Sequence, residues 1–344
     1  MKRELAIGRV RIGGGNFPAI QSMCSTDTAD IDATAAQMRR LEQAGCEIIR
    51  VAAYDINSAR CIAKLKQRTR MPIVAAVHFD YKIALAAIEA GADKVRINPG
   101  NIGSKDKIRC VVDAAKSYGV PLRVGANSGS IAREYVHLEK SDALVESALE
   151  NVRTLEKMGF YDIVISLKAS NVPTCVRAYR KMDKLVDYPL HLGVTEAGVY
   201  DSSVIKSSMG IGALLLDGIG DTLRVTLTGD VVQEVEIAKD ILRFCGLRTF
   251  GPEIISCPTC GRTRIDVERL AGEVKQLVSG MDRPIKIAVM GCAVNGPGEA
   301  ADADIGIAGG RGEGLIFLKG KPYAKYPEER LMAEFARLLD KIEK

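Results

Sequence analysis

Two short stretches hold the residues best suited to chemistry: CPTCGR at 257–262 and MGCAVNGPGE at 290–299. Cys257 and Cys260 form a CxxC, and Cys292 adds a third thiol downstream. Thiolates are soft ligands, and a CxxC brings two of them to one metal centre. A closed tetrahedral zinc site needs a fourth Cys or His. No cysteine follows Cys292, and the last histidine of the chain is His191. Three cysteines with one position left to another ligand suit an iron–sulfur cluster with one differentiated iron. The AVNGPGE turn offers backbone N–H groups to cluster sulfurs and could bring Glu299 back towards Cys292. On the residues alone, zinc and redox-active thiols stay open beside the cluster. Cys24, Cys46, Cys61, Cys110, Cys175 and Cys245 lie in strand-like or helix-like stretches and are expected to pack as small hydrophobes.

A second set of polar residues recurs at the ends of short β-branched runs. These are Arg50, His78, Arg96 with Asn98, Arg123 with Asn127, Lys168, Glu196, and Arg224 with Thr226. Ordinary solvated or salt-bridged residues would account for any single one. Four arginines and a lysine on separate strand ends are different, because burying like charges together is costly without a partner. Guanidinium forks match phosphate oxygens bidentately, so a diphosphate is the natural guest. Glu196 is then the odd residue. It either moves a proton beside bound phosphates or holds the cations in place. His191 reads as a core histidine, and His78 as a residue of the mouth or of the scaffold. NPGNIG at 98–103 reads as a turn into a helix start, and KSSMGIG at 206–212 as a loop, over a ligand or merely connecting.

The elements that must position these residues follow a recurring pattern. A helix-like stretch ends near glycine, and a short buried strand and a polar residue follow, as in EQAGCEIIRVAA, EAGADKVRINPG and KMGFYDIVISLKAS. With FPAIQSM, MPIVAAVHFD, SYGVPLRVGANSG, VDYPLHLGVTEAG and GIGDTLRVTLTGD there are eight such strands. Eight βα units point to a (β/α)8 TIM-type barrel, with an open doubly wound sheet as the alternative. Chemistry in such a barrel sits at the C-terminal strand ends, where the cations fall. IGRVRIGGGNF reads as a hairpin plugging the opposite end. After ILRFCGLR the pattern changes to strand, cysteine turn, helix, strand, cysteine turn, hairpin and helix. The expected domains are therefore a barrel over 1–247 and a smaller α+β module over 248–344.

Composition narrows the classes further. Of the 344 residues 47% are hydrophobic and 26% charged, which suits an enzyme with a substantial core. There is no tryptophan and aromatics make up 5%, which argues against a stacking platform for nucleic acid. A net charge of +5 is too small for a DNA binder but fits a small anionic substrate. No signal-peptide run and no membrane-length apolar stretch is found, so a cytoplasmic protein is expected, or an organellar one after removal of a targeting segment. Two rival classes are a phosphate-binding barrel lyase or synthase with a structural zinc module, and an RNA-binding protein. The missing fourth Cys or His weighs against both.

CPTCGR, MGCAVNGPGEA, AVHFDYKIAL, KVRINPGNIG and GVTEAG, in this arrangement, resemble the bacterial two-domain form of the IspG/GcpE family. These are the 4-hydroxy-3-methylbut-2-enyl diphosphate synthases of the methylerythritol phosphate route to isoprenoids, and the resemblance spans essentially the whole chain. It implies one 4Fe–4S cluster per chain, held by Cys257, Cys260, Cys292 and Glu299 in the C-terminal, reductase-like domain. It implies a cyclic diphosphate substrate, 2-C-methyl-D-erythritol 2,4-cyclodiphosphate, bound by Arg50, Arg96, Arg123, Lys168 and Arg224. His78, Asn127, Thr226 and Asn295 are implied as further contacts, and Glu196 as the acid/base carboxylate. The resemblance also implies flavodoxin or ferredoxin as electron donor, and a head-to-tail homodimer whose active sites each use two chains. One departure is Cys24 in QSMCSTDT, where many relatives are expected to carry threonine.

Overall fold

The structure, a computed structural model, describes residues 2–131, 133–292, 298 and 300–342. The chain divides into two compact units, Met1–Arg248 and Thr249–Lys344.

The first unit opens with a hairpin of β1 (Leu5–Ile7) and β2 (Val10–Ile12). Eight strands follow: β3 (Ala19–Met23), β4 (Ile48–Ala52), β5 (Ile73–Ala76), β6 (Lys94–Arg96), β7 (Leu122–Asn127), β8 (Ile163–Lys168), β9 (His191–Leu192) and β10 (Thr222–Leu223). They hydrogen-bond in the order β8-β7-β6-β5-β4-β3-β10-β9, and a bridge between Ile165 and Leu190 brings β8 to β9 and closes the ring. Every pairing is parallel. This is the (β/α)8 barrel and not the open sheet. Strands buried on both faces must be apolar throughout, as IVAA of β5 is.

The helices between them are α1 (Ile31–Ala44), α2 (Ile56–Lys66), α3 (Tyr81–Glu89), α4 (Lys105–Tyr118), α5 (Lys140–Glu156), α6 (Val172–Leu185), α7 (Tyr200–Ser207) and α8 (Val231–Phe244). The sequence cues for their ends are physical. Asp30 caps α1 by accepting the Ala33 N–H at 3.0 Å, and Gly45 ends it in the left-handed region at φ 98°. The segment 206–212 corrects the sequence reading. It is not a loop: α7 runs on through a wide π turn, Ser208–Gly212. Gly210 permits this, since a Cβ there would stand 2.6 Å from Val194 Cγ2 on the segment after β9.

Leu5, Ile7 and Ile12 of the hairpin pack with Ala19, Ile48, Val74 and Val164 as one apolar cluster. The hairpin therefore plugs the barrel's N-terminal end, as its pattern predicts.

The second unit is a five-stranded sheet of β11 (Glu253–Ser256), β12 (Lys286–Met290), β13 (Ile305–Gly309), β14 (Glu313–Leu318) and β15 (Lys321–Pro327), in that order. β11, β12 and β13 are parallel, and β14 and β15 complete the sheet antiparallel. Helices α9 (Val267–Leu277) and α10 (Glu328–Ile342) bury Leu270, Val274, Leu331 and Phe335 against Ile287, Val289, Ile305 and Ile307. Ala288, Met290, Ala308 and Phe317 form a separate cluster with Ala300 and Ala303. Strand alternation puts the two sets on opposite faces of the sheet. Among the described residues no helix is long and apolar enough to cross a membrane.

Of the six other cysteines, Cys24, Cys46 and Cys175 are buried as expected, and Cys61 and Cys245 are half-buried. Cys110 is exposed on α4, contrary to expectation, because its position falls on the helix's solvent face between the buried Ile108 and Val111. Burial pushes the Cys24 thiol up to about 12, with a smaller push from Cys46.

Candidate functional site

Parallel register sets the cations side by side. Only Arg96 and Lys168 end their strands, and Arg224 follows β10. Contrary to expectation, Arg50 lies mid-strand in β4 and Arg123 is the second residue of β7, because strand pairing continues beyond them. Arg50 pairs with Met23 of β3 and Val74 of β5, Arg96 lies opposite Arg123, and Asn127 lies opposite Lys168. Lys94 Nζ donates to Gln21 Oε1 at 3.3 Å, a bond from β6 to β3, which are not neighbours in the sheet, so Lys94 points into the barrel. Arg96, two residues on, shares its face.

Arg123 is 2% exposed and Lys168 6%, while Arg50, Arg96 and Arg224 are half-buried. Buried donors without a hydrogen-bond partner gather on these side chains: Arg96 Nη1, Arg123 Nε and Nη1, Lys168 Nζ and Arg224 Nε. Arg50 Nε and Arg224 Nη1 both donate to Met23 Sδ, at 3.1 and 3.3 Å. A thioether is a weak acceptor for two guanidinium groups. Burial and then the neighbouring Arg224, Arg123 and Arg96 push Arg50 well down. Burial, with Arg96 and Arg224, brings Arg123 to about 9. Burial, then Arg224, Arg123 and Arg50, push Lys168 well below the ordinary lysine range. Arginine keeps its proton, so among the arginines this repulsion calls for an anion and is not relieved by proton loss. Backbone space is matched to the cations, since a Cβ on Gly193 would meet Lys168 Nζ at 2.8 Å.

The remaining predicted residues take varied places. His78 is exposed just after β5; partial burial and the charges of Arg96 and Arg50 lower its pKa and so favour the neutral ring. Asn98 opens a single helical turn, Pro99–Ile102. Thr226 Oγ1 donates to Val194 O at 2.8 Å. Glu196 is exposed on the loop after β9, with left-handed backbone at φ 53°. A non-glycine residue held there is strained, and such strain gathers at functional loops. His191 is fully buried, and its Nδ1 lies 2.8 Å from Thr222 Oγ1, the core role expected of it.

Sequence reasoning missed Gln21, Met23, Lys94 and Glu234. Lys94 was within reach, as it sits two residues before Arg96 in one strand. Glu234 was not, since a glutamate in VVQEVEIAK looks like any solvated helix position.

In the second unit Cys257 follows β11 and Cys292 follows β12, and these adjacent parallel strands set both at one sheet edge. The Gly291 N–H donates to Cys257 Sγ at 3.1 Å. The Arg264 N–H donates to Gly291 O at 2.8 Å, tying the CxxC turn to the end of β12. The Cys260 thiol is lowered by the Arg262 N–H, the Arg262 side chain and Thr263. Such N–H donors suit thiolates that carry metal. Asn295 and Glu299 lie outside the described residues. Among the described residues no three Cys, His, Asp or Glu side chains are gathered closely enough to hold a metal ion. The donor chemistry fits a thiolate-bound cluster.

A (β/α)8 barrel with a buried cationic mouth, followed by an α+β unit with a cysteine edge, defines an anion-handling barrel enzyme with a thiol-bearing second domain. The chain belongs to the GcpE family: residues 2–239 match the GcpE TIM-barrel domain and residues 253–341 the GcpE protein C-terminal domain. It is 54% identical to a protein of Caldanaerobacter subterraneus subsp. tengcongensis named 4-hydroxy-3-methylbut-2-en-1-yl diphosphate synthase (flavodoxin), over 100% of this chain and 98% of that one. A protein of the same name from Desulfotalea psychrophila is also 54% identical, over 99% and 95%. Among solved structures, the 7,8-dihydropteroate synthase of Vibrio fischeri ES114 aligns with TM-score 0.51 at 11% identity, over 71% of this chain and 98% of that one. The Yersinia pestis dihydropteroate synthase aligns with TM-score 0.50 at 11% identity, over 72% and 100%. At that identity the two structures share the fold alone.

Proposed function

We propose that the chain catalyses the reaction for which its relatives are named, with flavodoxin as electron donor. It converts 2-C-methyl-D-erythritol 2,4-cyclodiphosphate into 4-hydroxy-3-methylbut-2-enyl diphosphate in the cytoplasm. The observation that carries this reading is the group of buried, partnerless donors on Arg96, Arg123, Lys168 and Arg224 at one barrel end. A diphosphate supplies the oxygens those donors lack.

The reaction takes up two electrons and two protons, opens the ring at a carbon–oxygen bond and releases one water. Arg50, Arg96, Arg123, Lys168 and Arg224 hold the diphosphate oxygens and stabilise the negative charge that ring opening leaves on phosphate. Asn127, Thr226 and His78 are the further cradle residues that orient the carbon skeleton, and Asn295 joins them by family resemblance alone. Glu196 delivers a proton to the oxygen that leaves as water. Cys257, Cys260 and Cys292, with Glu299 by family resemblance, would hold a 4Fe–4S cluster. When bound, that cluster supplies electrons one at a time. In the head-to-tail dimer of the family, the second domain of one chain closes the barrel mouth of its partner.

Turnover of the cyclodiphosphate by anaerobically purified protein with reduced flavodoxin is the direct test, and no product would end the reading. Glu196→Gln is expected to keep iron and substrate binding while turnover falls by about a hundredfold or more. Full activity would remove Glu196 from proton transfer. Mixing Glu196→Gln chains with Cys292→Ser chains is expected to restore part of the activity, because one mixed site carries both native halves. Proven heterodimers without rescue would place each site within a single chain.

A further inference from the structure

Glu234 of α8 is 7% exposed, and each of its oxygens has a task. Oε2 accepts from Ser22 Oγ at 3.1 Å, and Oε1 accepts the Leu227 N–H at 3.2 Å. Ser22 precedes Met23, whose sulfur takes the bonds from Arg50 and Arg224. Leu227 follows Thr226 on the segment that leaves β10. One carboxylate thus ties β3, whose Met23 takes the Arg50 bond from β4, to the neighbouring segment that carries Arg224 and Thr226. It also faces the cations electrically. Arg224 on β10 and Lys168 on β8 act on it, and Arg50 and the Cys46 thiol feel its charge.

We propose that Glu234 is the positioning residue of the anion cradle: as a carboxylate it fixes the ends of β3 and β10 and so aims Arg50 and Arg224 at the diphosphate. The role rests on the cradle reading above. An ionised carboxylate accepts both hydrogen bonds and balances the Arg224 charge, whereas a proton on Oε2 turns the Ser22 hydroxyl from donor to acceptor and removes that charge balance. Burial raises its pKa, while Arg224, the Leu227 N–H, Ser22 and Lys168 pull it back. The carboxylate titrates above the ordinary glutamate range, and the cradle loosens as pH falls through that value.

The wild-type chain is therefore expected to lose kcat/KM on the acid side of neutrality. Glu234→Gln is expected to be about tenfold slower at neutral pH and to lack that acid limb. An identical limb in Glu234→Gln would overturn the proposal. Ser22→Ala is a second probe should the glutamine variant misfold. Losing a donor to the charged form raises the Glu234 pKa, so the limb must move to higher pH, and a limb that stays put also overturns the proposal. Calorimetric binding of inorganic diphosphate to the wild-type chain tests the cradle separately. No binding there ends the cradle reading and the role of Glu234 with it, whereas binding with an unchanged limb ends the role of Glu234 alone.

Discussion

Lys168→Met is expected to make the protein more stable and nearly inactive at once. Lys168 is 6% exposed, and its Nζ is buried without a hydrogen-bond partner among Arg224, Arg123 and Arg50. Methionine has a similar length and removes a cation that the fold must desolvate against like charges. Replacing buried charge by a well-packed apolar side chain gains about 1–4 kcal/mol where the fit is good. The same change deletes a donor aimed at the anion and is expected to weaken cyclodiphosphate binding by about a hundredfold or more. Thermal unfolding and calorimetric titration read the two effects separately. A lower melting temperature would mean that Lys168 is satisfied in the fold, and unchanged binding would remove it from the cradle.

The pH dependence has a definite sign. Lys168 titrates below its unfolded value, so the unfolded chain binds the extra proton. The cost of burying the charge is present in full below the folded pKa. It is relieved as pH rises from there towards about 10.4, the unfolded lysine value. The stability gap between Lys168→Met and wild type should be widest at low pH and narrow as pH rises.

Cys257→Ser is expected to abolish turnover and iron binding together. Cys257 ends β11 beside the end of β12, and its sulfur takes the Gly291 N–H at 3.1 Å. A serine oxygen is smaller, harder and protonated at neutral pH, so it replaces a thiolate poorly on iron. Iron and sulfide under argon should fall from about four of each per chain to near none. Cys110→Ser is the matched control, because Cys110 is exposed on α4 and should leave both iron and activity unchanged. Full iron retention in Cys257→Ser would take Cys257 out of the ligand set.

Much of the architecture was written in local pattern. Continuous apolar runs such as IVAA announce strands buried on both faces. Asp30 and Gly45 mark helix ends through backbone chemistry that needs no tertiary partner. Counting along each run finds the strands that carry cations, but it misplaces Arg50 and Arg123 at strand ends, since pairing that extends a strand past its polar residue depends on the neighbouring strand. Where local cues were equivocal, the reading failed. KSSMGIG looked like a loop by composition, yet Gly210 lets it wind as a helix against Val194. Cys110 was grouped with buried thiols because residue type, not helix phase, was weighed.

The sequence by itself determined eight βα units, the plugging hairpin, the α+β module and which strands carry cations. Each of these depends on periodicity or on residues close together in the chain. Closure of the sheet into a ring through Ile165 and Leu190 was decided by the tertiary structure. Only the tertiary structure decided what surrounds those cations. Met23 receives two guanidinium groups, Lys94 reaches Gln21 across the barrel, and Glu234 binds Ser22 from 212 residues away. Such contacts arise when strands distant in sequence share one interior. There, loss of water, not residue type, sets the strength of a charge.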